Sequence, residues 1–144
     1  MNQFAANESA ERRKIRFEIR LNPVTKKNSL VLAKIGKKYT ILPSKAFAAY
    51  ERNASVFLPH VYPPISEPVE ITCRFYMKTR RKVDLTNLLE AVDDILVTYR
   101  VLADDNSQII VSHDGSRVFH DPKKPRTEVI IRFLETRKMK EPSQ

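Results

Sequence analysis

The stretch Arg80-Arg81-Lys82-Val83-Asp84-Leu85-Thr86-Asn87, running on to Leu102-Ala103-Asp104-Asp105-Asn106, decides how this chain of 144 residues is read. A basic cluster opens it. A carboxylate stands where a helix would begin, and an Asp pair follows where that helix would end. Phosphoryl-transfer sites combine these two kinds of group: cations attract a polyanion, and carboxylates hold a metal ion. At about 100° per residue, Asp84, Asn87, Ala91 and Asp94 share one helical stripe, within roughly 80° of one another. Leu85, Leu88, Val92, Ile95, Leu96 and Tyr99 form the adjoining apolar stripe, which predicts a core-facing helix from about Leu85 to Arg100. Asp84, Asn87 and Asp94 are then expected at the margin of the buried face, and Asp93 on the solvent side. Asp104 and Asp105 follow the helix, where the chain can turn back toward Asp84.

Strand patterns lie on both sides of this segment. Val69, Ile71, Cys73, Phe75 and Met77 alternate with Glu70, Thr72, Arg74, Tyr76 and Lys78, the clearest half-buried strand in the chain. Ile15, Phe17, Ile19 and Leu21 alternate with charged residues in the same way. Residues 30–42 read as a hairpin around Ile35-Gly36-Lys37. A first helix is expected from Pro43-Ser44, with Ser44 as N-cap, to Leu58, where Pro59 bounds it. After the Asp pair, residues 108–111 and 127–134 read as strands, separated by the turn His113-Asp114-Gly115 and the basic loop His120-Asp121-Pro122-Lys123-Lys124-Pro125-Arg126. The fold expected is α+β, a mixed sheet with two helices packed against it. One domain is expected over residues 14–134, with a loose tail at 1–13 and a charged one at 135–144.

Lys and Arg outnumber Asp and Glu by 26 to 17, for a net charge of +9 and a pI near 9.8. Such an excess favours a polyanionic partner, nucleic acid before membrane. The single cysteine, Cys73, excludes an intramolecular disulfide and reads as a small core residue. No apolar run approaches the ~18 residues that span a bilayer, and residues 1–14 show no apolar signal region, so the expected compartment is the cytoplasm. With glycines only at 36 and 115, a nucleotide-cradling loop is nearly excluded. There is no Cys/His cluster for zinc and no Ser/His/Asp order.

Each carboxylate has a plain structural alternative. Asp84 suffices as an N-cap, Asp104-Asp105 as a polar turn, and Asp94 as the partner of Arg100 or a loop lysine. The joint arrangement favours a site. Mg²⁺ takes oxygen ligands and needs only one or two carboxylates, with water and phosphate filling the rest, and Asp84 with Asp105 would meet that minimum. Lys26, Lys27 and Asn28, in the loop after the first strand, and Arg80, Arg81 and Lys82 are candidate contacts to a phosphate backbone.

Val83-Asp84-Leu85-Thr86-Asn87-Leu88, then Asp94, then Leu102-Ala103-Asp104-Asp105-Asn106-Ser107-Gln108-Ile109-Ile110, resembles the RusA family of Holliday junction resolvases, small and often prophage-encoded endodeoxyribonucleases. Pro23-Val24-Thr25-Lys26-Lys27-Asn28-Ser29 fits that family's loop after the first strand, and the likeness spans about residues 15–134. The resemblance implies a homodimer on a four-way DNA junction and Mg²⁺-dependent nicking of two opposed strands, with Mn²⁺ as a substitute ion. It implies that Asp84 and Asp105 are the metal-binding catalytic carboxylates, supported by Asn87, Asp94 and Asp104. Two positions depart from the pattern: Thr86 replaces its second Asp, and Glu90 stands where a lysine is common. Glu90 is a candidate to restore the missing carboxylate. The alternative is a non-catalytic junction-binding module with a degenerate metal site.

Overall fold

A computed structural model of the chain describes residues 13–26, 30–43 and 45–134. The expected tails, apart from Arg13, lie outside the described residues, as do Ser44, Lys27 and Asn28. The elements are β1 (Lys14–Ile19), β2 (Leu30–Ile35), β3 (Lys38–Pro43), α1 (Lys45–Ala54), β4 (Val69–Met77), α2 (Leu85–Thr98), β5 (Ile110–Ser112), β6 (Arg117–His120) and β7 (Arg126–Phe133). A single 3₁₀ turn, Ser55–Phe57, extends α1. The α+β expectation, a mixed sheet with two helices, is met.

β4 is the axis of the sheet. It runs antiparallel to β7, which in turn pairs antiparallel with β1. Along its other edge β4 pairs in parallel with β5 near Val69 and with β6 from Arg74 to Met77. The sequence reading missed β6, whose four residues are all exposed and carry no alternation. Between β5 and β6 the ladder is broken, and side chains replace it. The Ser116 Oγ accepts the Cys73 N–H at 3.0 Å, and the Thr72 hydroxyl donates to the Asp114 carbonyl at 2.9 Å. Gly115 turns the chain there at φ +82°, a left-handed conformation that glycine adopts without a Cβ clash. Among the described residues β2 and β3 form a separate two-stranded sheet around the predicted turn at Gly36.

Two sides of α2 are buried, which explains how one helix anchors two layers. Leu88, Val92 and Leu96 pack on Val69, Ile71, Cys73, Phe75, Val129 and Ile131 of the sheet. Ala91 and Ile95 face Phe47, Tyr50 and Ala54 of α1, together with Ile19. Cys73 is fully buried, and burial pushes its thiol far above its usual pKa, so it is the inert core residue expected.

α2 ends two residues earlier than its pattern suggested, because Arg100 takes φ +62°. The N–H groups of Val101 and Leu102 then both bond back to the Leu96 carbonyl at 2.9 and 3.1 Å, closing the helix end. Val101 and Leu102 are buried, and a bridge from Ile65 to Leu102 holds the returning chain. That anchoring places Asp104 and Asp105 on the surface beside the C-terminal half of α2.

Candidate active site

Asp84 precedes α2 in extended backbone geometry, and its carbonyl accepts the Leu88 N–H at 3.2 Å. Its carboxylate makes no capping bond to the helix. The side chain instead accepts a hydrogen bond from Asn87 Nδ2 at 3.2 Å and is otherwise exposed. The N-cap alternative thus describes the backbone but leaves the carboxylate free of backbone donors. Asn87 is 8% exposed, so it is a fixed donor that orients Asp84. Thr86, on the first turn, is exposed and supplies no carboxylate. Arg80, Arg81 and Lys82 are exposed on the loop leading to Asp84.

The remaining acids gather around the other half of α2. Asp94 accepts a hydrogen bond from the Lys26 ammonium at 2.8 Å, the loop-lysine pairing that its structural alternative foresaw. That bond holds the Lys26 pKa above its ordinary value against a burial penalty, with Asp94, Glu51 and Glu90 adding to the field. Lys26 is therefore committed within the protein, and exposed Glu90 acts on it electrostatically.

Asp93 is not on the solvent side, as the helical wheel placed it. Its side chain is 15% exposed and meets His113 Nε2 at 2.8 Å, while His113 Nδ1 faces the Ile71 carbonyl at 2.9 Å. A carbonyl only accepts, so Nδ1 carries a hydrogen, and the Asp93–His113 contact needs a further proton. Burial pushes the Asp93 carboxyl up, His113 opposes it, and the charges of Asp105 and Asp94 add to the rise. Burial would lower the His113 pKa, but Asp93 and the Ile71 carbonyl raise it on balance. The motifs gave no hint of this pair, because the two residues are 20 apart in sequence and belong to different elements.

Asp104 and Asp105 form the most exposed acidic pair in this half. The Asp104 carboxylate accepts the Asp105 N–H at 2.7 Å and Asn106 Nδ2 at 3.0 Å, and these bonds hold its pKa down. Desolvation raises the Asp105 pKa, as do the hydrogen-bonded Asp104 carboxyl and the Asp94 charge. The two neighbours thus differ: the hydrogen bonds of Asp104 favour its charged form, while burial and nearby acids disfavour that of Asp105. Gln108, the last polar residue of the motif, donates its backbone N–H to Asn106 Oδ1 at 3.0 Å.

The donors suit a hard divalent cation: exposed carboxylate oxygens, with negative charge concentrated at Asp104–Asp105. Among the described residues, no three His, Cys, Asp or Glu side chains converge as a ready-made metal cluster. Asp84 lies ten residues from Asp94, a neighbour of Asp105 in charge, or about 15 Å along the helix axis.

A family model described as Endodeoxyribonuclease RusA matches residues 20–132, a span that holds both carboxylate positions and all of α2. The chain belongs to the RusA endodeoxyribonuclease family. No individual curated protein matches it. Membership makes it an enzyme of the Holliday junction resolvase type, which hydrolyses phosphodiester bonds in DNA. The basic composition accords with such a substrate. No helix among the described residues is long and apolar enough to cross a membrane.

Proposed function

We propose that this RusA-family enzyme resolves four-way DNA junctions by paired nicks that depend on Mg²⁺, with Asp84 and Asp105 as the metal-binding catalytic carboxylates. The observation carrying this reading is the exposed Asp104–Asp105 pair in the turn after α2, with Asp94 close enough to Asp105 to act on its charge. Asn87 holds the Asp84 carboxylate in place. Asp104 is fixed by two hydrogen bonds and stiffens the turn that carries Asp105. Asp84 and Asp105 would hold the Mg²⁺, which would supply an activated water and offset charge on the scissile phosphate. Arg80, Arg81 and Lys82, exposed beside Asp84, hold the backbone without reading bases.

A homodimer belongs to the same reading, because two opposed strands need two sites. Two protomers in two-fold contact would let Asp84 of one chain serve an ion together with Asp105 of the other, and would present two sites to two strands. We place the enzyme in the cytoplasm, with DNA.

The test is cleavage of a synthetic four-way junction with and without Mg²⁺, comparing wild type with Asp105→Asn. Wild type should nick only with the ion, and the variant should lose more than about 100-fold in rate while still binding. Equal cleavage by both proteins would refute the assignment. The second reading, a junction-binding module that does not cut, draws on Thr86 and on the lack of a three-ligand cluster among the described residues. It predicts binding without cleavage by wild type itself. Glu90→Gln sharpens the choice: unchanged Mg²⁺-dependent nicking would show that Glu90 does not replace the missing carboxylate.

A further inference from the structure

The basic turn between β6 and β7 lies outside everything assigned so far, yet it is one of the most firmly braced loops in the molecule. Asp121 Oδ1 accepts the backbone N–H groups of Lys123 and Lys124, both at 3.2 Å. Asp121 Oδ2 receives Arg126 Nη1 at 3.0 Å, and the same nitrogen donates to the Lys124 carbonyl at 2.9 Å. The Arg126 guanidinium lies 3.8 Å over the Tyr76 ring, which stacks on Phe119 at 5.0 Å. The Asp121 N–H bonds to the Met77 carbonyl at 2.9 Å, fixing the turn to the end of β4.

This bracing sorts the charges. Asp121 and Glu128 are both bonded to Arg126, and Glu18 lies 3.7 Å from Arg20. The side chains of Lys123 and Lys124 are exposed, and no contact to them is found among the described residues. They border a cavity of about 870 Å³ that Arg20 and Asn22 also line. Asn22 Oδ1 in turn accepts the Lys78 N–H at 2.9 Å, joining the cavity to the loop that carries Arg80, Arg81 and Lys82. Two segments remote in sequence, the Lys123–Lys124 turn and the loop of Arg80, Arg81 and Lys82, thus bring exposed cations to one rim of the sheet, and Arg20, 75% exposed although it meets Glu18, lines the same cavity.

We infer that the Lys123–Lys124 turn, with Arg20 across the cavity, is a second phosphate-binding site that takes the backbone of a duplex DNA arm. Lysine ammoniums are point charges without the planar fork that reads a base pair, so this contact adds affinity and position but no sequence preference. A turn held before binding loses little freedom when phosphate arrives. The inference rests on DNA being the substrate, and the test keeps the two ideas apart.

Binding of a synthetic four-way junction is measured from 50 to 300 mM salt without divalent ion, for wild type, Lys123→Ala/Lys124→Ala, and a control pair, Arg13→Ala/Arg52→Ala, which removes two exposed cations elsewhere. The slope of log K against log salt should shrink by about 0.9 for each lysine that contacts a phosphate, and the control should keep the wild-type slope. An unchanged slope in the lysine pair overturns the site. So does an equal loss in both pairs, because net charge alone would then explain it. If wild type binds no junction or duplex, the DNA reading fails and takes this site with it. Lys123→Gln/Lys124→Gln, which removes the charge but keeps a long polar side chain, serves if the alanine pair melts early.

Discussion

The two ends of α2 treat charge in opposite ways. Before its first turn, Asp84 is held by one side-chain amide, and Arg80, Arg81 and Lys82 are exposed beside it. Around its second half, Asp94 is bonded to Lys26, Asp93 to His113, and Asp104 to the backbone of Asp105. Free charge at one end is suited to meeting an outside partner. Knitted charge at the other fixes the turn that carries the exposed carboxyls of Asp104 and Asp105. In the proposed reading both ends serve one metal ion, which is why the comparison bears on assembly.

The sharpest way to break that comparison is to mix variants. Asp84→Asn and Asp105→Asn should each abolish nicking as homodimers. If one ion is served by Asp84 of one chain and Asp105 of another, mixed dimers of the two variants contain one intact site and one doubly broken one. Nicking of a single strand should then return, a gain of more than about 100-fold over either variant alone. No gain in mixtures shown to exchange subunits would place both carboxylates in one protomer.

The knitted end is probed through His113. His113→Ala leaves Asp93 and the Ile71 carbonyl without their partner, and should cost about 1–3 kcal/mol of stability by thermal or urea unfolding. The pH sign follows from the raised His113 pKa. A group that binds its proton more tightly when folded stabilises the fold below its unfolded pKa, about 6.5 for histidine, and loses that contribution as pH rises through the folded value. The raised Asp93 pKa acts in the same direction at lower pH. Wild-type stability should therefore decline as pH climbs above about 6.5, and His113→Ala should flatten the decline. A steeper decline in the variant would contradict the pairing.

Much of this was legible in the chain because period and motif coincide. The alternation of Val69 to Met77 and the stripe of Leu88, Val92 and Leu96 named the central strand and helix, and the same residues form the core. Asp84 and the Asp104–Asp105 pair stood out by their places relative to that helix. Other features were hidden for physical reasons. β6 is an exposed edge strand without alternation, so no period marks it. Asp93 was misplaced because a helical wheel shows direction but not what arrives from elsewhere, and His113 comes from beyond β5 to meet it. Lys26 read as a cation for DNA, but Asp94 lies 68 residues away in sequence, and their pairing is a tertiary fact. The turn at Lys123 looked like an ordinary basic loop, because its bracing depends on Tyr76 and Met77 of a distant strand.

The smallest expected effect concerns how the knitted end is closed. Arg100 occupies φ +62° at the residue where helices commonly place glycine. A non-glycine side chain there costs roughly 1–2 kcal/mol, because its Cβ crowds the following carbonyl. Glycine removes that crowding but gives the unfolded chain more freedom, which returns part of the gain. Arg100→Gly should therefore stabilise the protein by about 0.5–1 kcal/mol, seen as a higher unfolding midpoint at unchanged denaturant slope. The bonds from Val101 and Leu102 to Leu96 would be kept, and with them the placement of Asp104 and Asp105. A lower midpoint would mean that the Arg100 side chain contributes to stability beyond its backbone angle. The end of α2 that positions Asp105 would then depend on charge as well as on geometry.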